Sequence, residues 1–119
     1  MTLSLGEKQT IEEKRRHTRI PFNRPVTLFI NQQQETGTMT DFSLHGVGLI
    51  CHLPLKPEDR VEVHFEIPES QGKNYHDFQF KAEVRHCIDL YPDPEKHVGV
   101  ELETPTDEYI ELFEKLAAS

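Results

Sequence analysis

Tryptophan is absent from the chain, and cysteine occurs twice, as Cys51 and Cys87. These two make no CxxC pair and no disulfide framework. That leaves a reduced, cytoplasmic setting as the default and reads both thiols as small core or surface residues. No apolar run approaches the roughly 18 residues that span a bilayer, so no membrane insertion is expected. The stretch from Met1 to Thr10 lacks a basic region followed by an apolar one, and no secretory signal is read there. The seven histidines form no HxH or HExxH spacing, which argues against zinc. Cations are scarce as well. There are 13 Lys and Arg against 21 Asp and Glu, for a formal charge of −8. A general binder of nucleic acid needs the opposite balance, and a small nucleic-acid-binding barrel would also need aromatic platforms.

What is present is one domain's worth of chain. At 119 residues it can bury a single core, and the seven Phe with many Val, Leu and Ile argue against disorder. The charge is unevenly placed. Lys14, Arg15, Arg16, Arg19 and Arg24 fall in one window without an acid, leaving eight cations against 21 acids in the other 108 residues. The window is therefore +5 and the remainder −13. Such a division suggests a compact anionic ligand rather than an extended anionic polymer.

Periodicity divides the chain further. Residues 1–13 read as a polar arm, 14–24 as a basic arm, 25–103 as β structure and 104–118 as a helix. Val26–Asn31 reads as a first strand, and Gln32–Gly37 as a polar turn leading to a second strand over Thr38–Phe42. Val47, Leu49 and Cys51 share one face of a third strand, opposite Gly48, Ile50 and His52. Val61, Val63, Phe65 and Ile67 alternate with Glu62, His64 and Glu66. Phe78, Phe80, Ala82 and Val84 alternate with polar residues up to Arg85, as do Val98, Val100 and Leu102. Leu90–Lys96 reads as a loop. Thr104 before Pro105, with Asp107 three residues on, predicts a helix N-cap. Tyr109, Leu112, Phe113 and Leu116 then form one helical stripe. Six short strands without βαβ alternation favour an antiparallel barrel or sandwich, with the helix over one opening or edge.

Two motifs carry chemistry. The first is Arg15-Arg16-His17-Thr18-Arg19. Arginine offers a planar fork of donors suited to phosphate oxygens and to guanine N7 and O6, and its plane can stack on a purine. The second is Asp41-Phe42-Ser43-Leu44-His45-Gly46. A carboxylate there can accept from guanine N1–H and N2–H₂. The Ser43 hydroxyl can donate to a phosphate or fix the turn, and Gly46 allows positive φ or close ligand approach. Read singly, the first is as easily a solvated basic run and the second an Asp/Ser turn. Their order and their separation of 26 residues, from Arg15 to Asp41, are more specific than either alone.

Together they resemble the PilZ domain family, whose RxxxR motif is matched by Arg15, Arg16 and Arg19. Its [D/N]xSxxG motif is matched by Asp41, Ser43 and Gly46. Ala82-Glu83-Val84-Arg85 and Val98-Gly99-Val100-Glu101-Leu102 look like that family's later strands, so the similarity covers roughly residues 14–118. The resemblance implies an all-β fold with a C-terminal helix, a six-stranded antiparallel β-barrel of the PilZ split-barrel kind. It also implies a non-enzymatic receptor and adaptor for the bacterial second messenger cyclic di-GMP, with no other cofactor. Ligand binding would fold the arm of residues 1–19 onto the barrel and alter the surface offered to a downstream protein. Motility, exopolysaccharide synthesis and biofilm formation are all compatible outputs. Carried over residue by residue, Arg15, Arg16 and Arg19 take phosphate and guanine contacts, Asp41 and Ser43 take base and phosphate contacts, and Gly46 keeps the turn open. Lys14 could reach a second nucleotide of a stacked dimer, and His45, at a variable motif position, is a secondary candidate. A monomer or weak homodimer is expected.

The rival readings differ in class. A PilZ-fold adaptor could act through protein contacts alone, its basic arm docking on an acidic partner, but the intact motif arginines favour the nucleotide. A hydrolase triad lacks a His at a telling distance from Asp41 and Ser43.

Overall fold

A computed structural model describes residues 18–68 and 74–118 as six antiparallel strands followed by one helix. The strands are β1 (Ile20–Ile30), β2 (Gln33–Phe42), β3 (Gly46–Cys51), β4 (Arg60–Pro68), β5 (Tyr75–Asp89) and β6 (Lys96–Leu102), and the helix is α1 (Asp107–Ala117). They close into a barrel in the order β1-β2-β3-β6-β5-β4. The period-two pattern is what closes it. Val26, Leu28, Met39, Phe42, Val47, Leu49, Val63, Phe80, Val84 and Val98 all point inward and are buried. No helix among the described residues is long and apolar enough to cross a membrane.

The helix lays its stripe on that core. Tyr109, Leu112 and Phe113 are buried, and the Tyr109 ring sits among Phe42, Phe65, Phe78 and Phe80 at centroid distances of 5.2–6.3 Å. The phenol oxygen donates to the Ser43 carbonyl at 2.6 Å. Tertiary burial thereby fixes the helix to the turn that follows β2.

Boundaries differ from the periodicity reading in several places. β5 runs past Arg85 to Asp89 and β6 begins at Lys96, inside the stretch read as a loop. Three further differences have a physical reason. The first strand begins at Ile20 rather than near Val26. Pro21 and Pro25 are tolerated there because β1 pairs with β4 only through Thr27, Leu28 and Phe29, leaving its first half an edge on that side. The second strand begins at Gln33, because the turn is only Asn31 and Gln32, both at positive φ (49° and 71°) as a tight hairpin requires. Residues 33–36 are exposed, so no alternation marks them as strand. The helix cap is Thr106 rather than Thr104. Thr106 is extended, its hydroxyl accepts from the Tyr109 amide at 3.2 Å, and Asp107 and Glu108 occupy the first turn.

Two β-bulges shape the outer face of the barrel. One interrupts the β2–β3 register between Met39 and Asp41, the other the β5–β6 register between Val84 and His86. Each inserts a residue that faces outward. Thr40 and Asp41 both lie outside between inward Met39 and Phe42, and Arg85 and His86 both lie outside after inward Val84. Bulges re-aim side chains in this way.

Candidate functional site

The second motif folds as the end of β2 and the turn into β3. Ser43 is 6% exposed, and its hydroxyl accepts from the Gly46 amide at 3.1 Å while the Ser43 amide donates to the Gly46 carbonyl at 2.8 Å. The hydroxyl thus fixes the turn, one of the two roles open to it. Gly46 is not left-handed. It is small for space instead, since a Cβ there would lie 3.0 Å from the Val100 carbonyl and 3.9 Å from Arg19 Nη1.

Arg19, from the first motif, reaches this turn across more than twenty residues of chain. Its Nη2 donates to Asp41 Oδ1 at 2.9 Å, and its Nη1 lies 3.4 Å from the Ser43 hydroxyl. The guanidinium and carboxylate are 42% and 28% exposed, so water screens the pair and it contributes only about 0–1 kcal/mol. Arg15, Arg16 and Lys14, with most of the arm expected to move on ligand binding, lie outside the described residues.

Arg19, Asp41, Ser43, His45 and Gly46 line one open cavity of about 570 Å³ on the outer face of the barrel. His45 is exposed, as its variable motif position implies. The cavity extends beyond both motifs. Gly48, Arg85, His86, His97, Gly99, Val100 and Glu101 complete its wall and floor, and the motif reading missed all seven. The pairings explain how they meet. Asp41 is opposite Gly48, Gly48 opposite Gly99, and Gly99 opposite His86, giving one row across four strands. A Cβ at Gly48 would collide with the Asp41 carboxylate. The bare floor therefore lets that side chain lie down across the sheet. A sequence signal did exist, since outward glycines inside strands mark a close approach.

The electrostatics are mixed. Arg85 is held by Glu101 at 3.2 Å and by Glu83 at 3.7 Å. Beneath the site, burial pushes the Tyr109 phenol well above its ordinary range, and the smaller effect of the Arg19 charge opposes this. The phenol stays a proton donor to Ser43 throughout the neutral range. Among the described residues no three His, Cys, Asp or Glu side chains group as a metal-holding set.

A family profile described as PilZ domain matches residues 13–119. An uncharacterized protein of Aquifex aeolicus (strain VF5) is 27% identical over 86 residues, 71% of this chain and 39% of that protein. Among solved structures, the Bacillus subtilis inhibitor of motility MotI/DgrA superposes with a TM-score of 0.73 at 11% identity, over 86% of this chain and 49% of that one. The Borreliella burgdorferi PlzA protein, solved in complex with c-di-GMP, superposes with a TM-score of 0.56 at 12% identity, over 94% of this chain and 56% of that one. The chain thus spans from about two fifths to little more than half the length of these relatives. At these identities the two structural likenesses speak for the fold.

Proposed function

The chain belongs to the PilZ domain family, and from that premise we propose that it is a non-enzymatic cytoplasmic receptor for cyclic di-GMP that regulates a partner protein by changing shape. The observation that carries this reading is the meeting of Arg19, Asp41 and Ser43 at one cavity. They come from two motifs that nothing local in the chain would bring together.

In this reading the arginines Arg15, Arg16 and Arg19 hold the two phosphates and the Hoogsteen edges of the guanines. Asp41 accepts from a guanine Watson–Crick edge. Ser43 holds the turn and turns its hydroxyl toward a phosphate. The Arg19–Asp41 pair is weak enough to be opened or shared at small cost. The ligand is a compact dianion that the +5 window can neutralise, while the acidic remainder repels longer polyanions. Drawing the arm toward the cavity changes the surface next to β2 and β3, which is what a partner would sense. The downstream process is regulatory, with motility, exopolysaccharide synthesis and biofilm formation as the candidate outputs.

Titration calorimetry with cyclic di-GMP, and GMP as the control, tests the reading. Each charge-assisted hydrogen bond contributes about 1.5–3 kcal/mol. Arg19→Ala or Asp41→Ala should therefore weaken binding by about tenfold to a hundredfold. No heat with excess ligand over micromolar protein refutes the function. Parent-like affinity in both variants refutes the site.

A further inference from the structure

Across the cavity from Asp41 stands an imidazole that neither motif contains. His86 is exposed at the β5 bulge, and its ring covers Gly99, where a Cβ would collide with three ring atoms. The arrangement repeats what lies at the other end of the row, where the Asp41 carboxylate covers Gly48. Two bulges present the two side chains, and two glycines let them lie over the sheet. Close to His86 is a second ring. His97 stacks on it at a centroid distance of 5.9 Å and an interplanar angle of 22°, and its Nε2 is 3.4 Å from the Thr40 hydroxyl. Both rings line the same cavity as Arg19 and Asp41.

A flat, exposed ring that rests on a glycine and has a second ring nearly parallel to it is a platform for a planar base. Resting on the reading of this cavity as the cyclic di-GMP site, we propose that His86 is a base-stacking residue of that site. One guanine lies against the His86 imidazole, and His97 is the positioning residue that keeps the ring in place. Stacking of this kind is tolerant of base identity, so His86 supplies affinity while Asp41 and Arg19 supply the hydrogen bonds that select guanine.

The rival explanation is that the ring only fills the space over Gly99. Three variants of the full chain separate the two, with cyclic di-GMP affinity read by calorimetry and folding checked by circular dichroism. His86→Ala should weaken binding about tenfold. His86→Phe, which keeps a flat ring, should stay within about threefold of the parent, and His86→Leu, which fills space without a flat face, should lose about tenfold. The Phe and Leu variants keep Gly99 covered, so they carry the test even where the Ala variant fails to fold. Equal affinity of the Phe and Leu variants, or parent-like affinity of the Ala variant, overturns the proposal while leaving the site reading intact. A parent protein that binds no cyclic di-GMP overturns the site reading, and the proposal with it.

Discussion

Removing one oxygen from Tyr109 tests whether the helix and the motif turn act as a unit. Tyr109→Phe keeps the ring among its four Phe neighbours and deletes only the donor to the Ser43 carbonyl, a buried 2.6 Å hydrogen bond. Losing such a bond and leaving the carbonyl without its partner costs about 1–3 kcal/mol. For a chain of this size that lowers Tm by about 4–12 °C. The phenol also makes the loss depend on pH. Burial raises its pKa above the ordinary value, so the folded protein keeps a proton that the unfolded chain releases. The contribution is therefore complete below the unfolded value, about pH 10, and is lost progressively as pH rises beyond it. In urea unfolding followed by circular dichroism, the stability gap between parent and variant should be full at pH 8. By pH 11 it should narrow by about 1.4 kcal/mol. Comparing the two proteins cancels the lysines and other tyrosines that titrate in the same range. A gap below about 0.5 kcal/mol at pH 8, or one that stays constant up to pH 11, refutes the argument.

Gly48→Ala should push the Asp41 carboxylate off the floor of the cavity and weaken cyclic di-GMP binding by at least as much as Asp41→Ala, measured in the same titration. Thr106→Ala removes the acceptor for the Tyr109 amide and should cost about 1 kcal/mol in chemical unfolding, whereas Thr104→Ala should cost less than half of that. Burial pushes both thiols up. Cys51 is enclosed in the core, and the Cys87 thiol donates to the Leu55 carbonyl at 3.0 Å. In a disulfide-exchange assay at pH 7.4, both should react at least about tenfold more slowly than free cysteine, and both should react fully in denaturant.

How far the sequence could be read depended on how each residue is held. β4, most of β5 and β6 were legible because one face is wet and the other dry, which stamps period two on the chain. Gln33–Thr36 carry no such stamp, because both of their faces meet water. Thr106 could not be told from Thr104 by local chemistry, since both are good caps. The choice is made by the Tyr109 ring and its hydroxyl finding the core and Ser43. The motif residues Asp41, Ser43 and Gly46 were legible as a pattern. His86 was not, because strict alternation carried past Val84 turns it inward, and His97, outward by alternation, belongs to no motif.

By itself, the sequence determined where the cores of six strands lie, that a helix closes the chain, and that cations gather near one end of an acidic protein. Those properties are local, set by side-chain period and by runs of charge. Only the tertiary structure decided that Asp41, Gly48, Gly99 and His86 form one row. That row depends on pairing between strands distant in sequence and on two bulges. One extra residue in a strand turns every later side chain to the other face, so the wall of the cavity is a property of register rather than of composition.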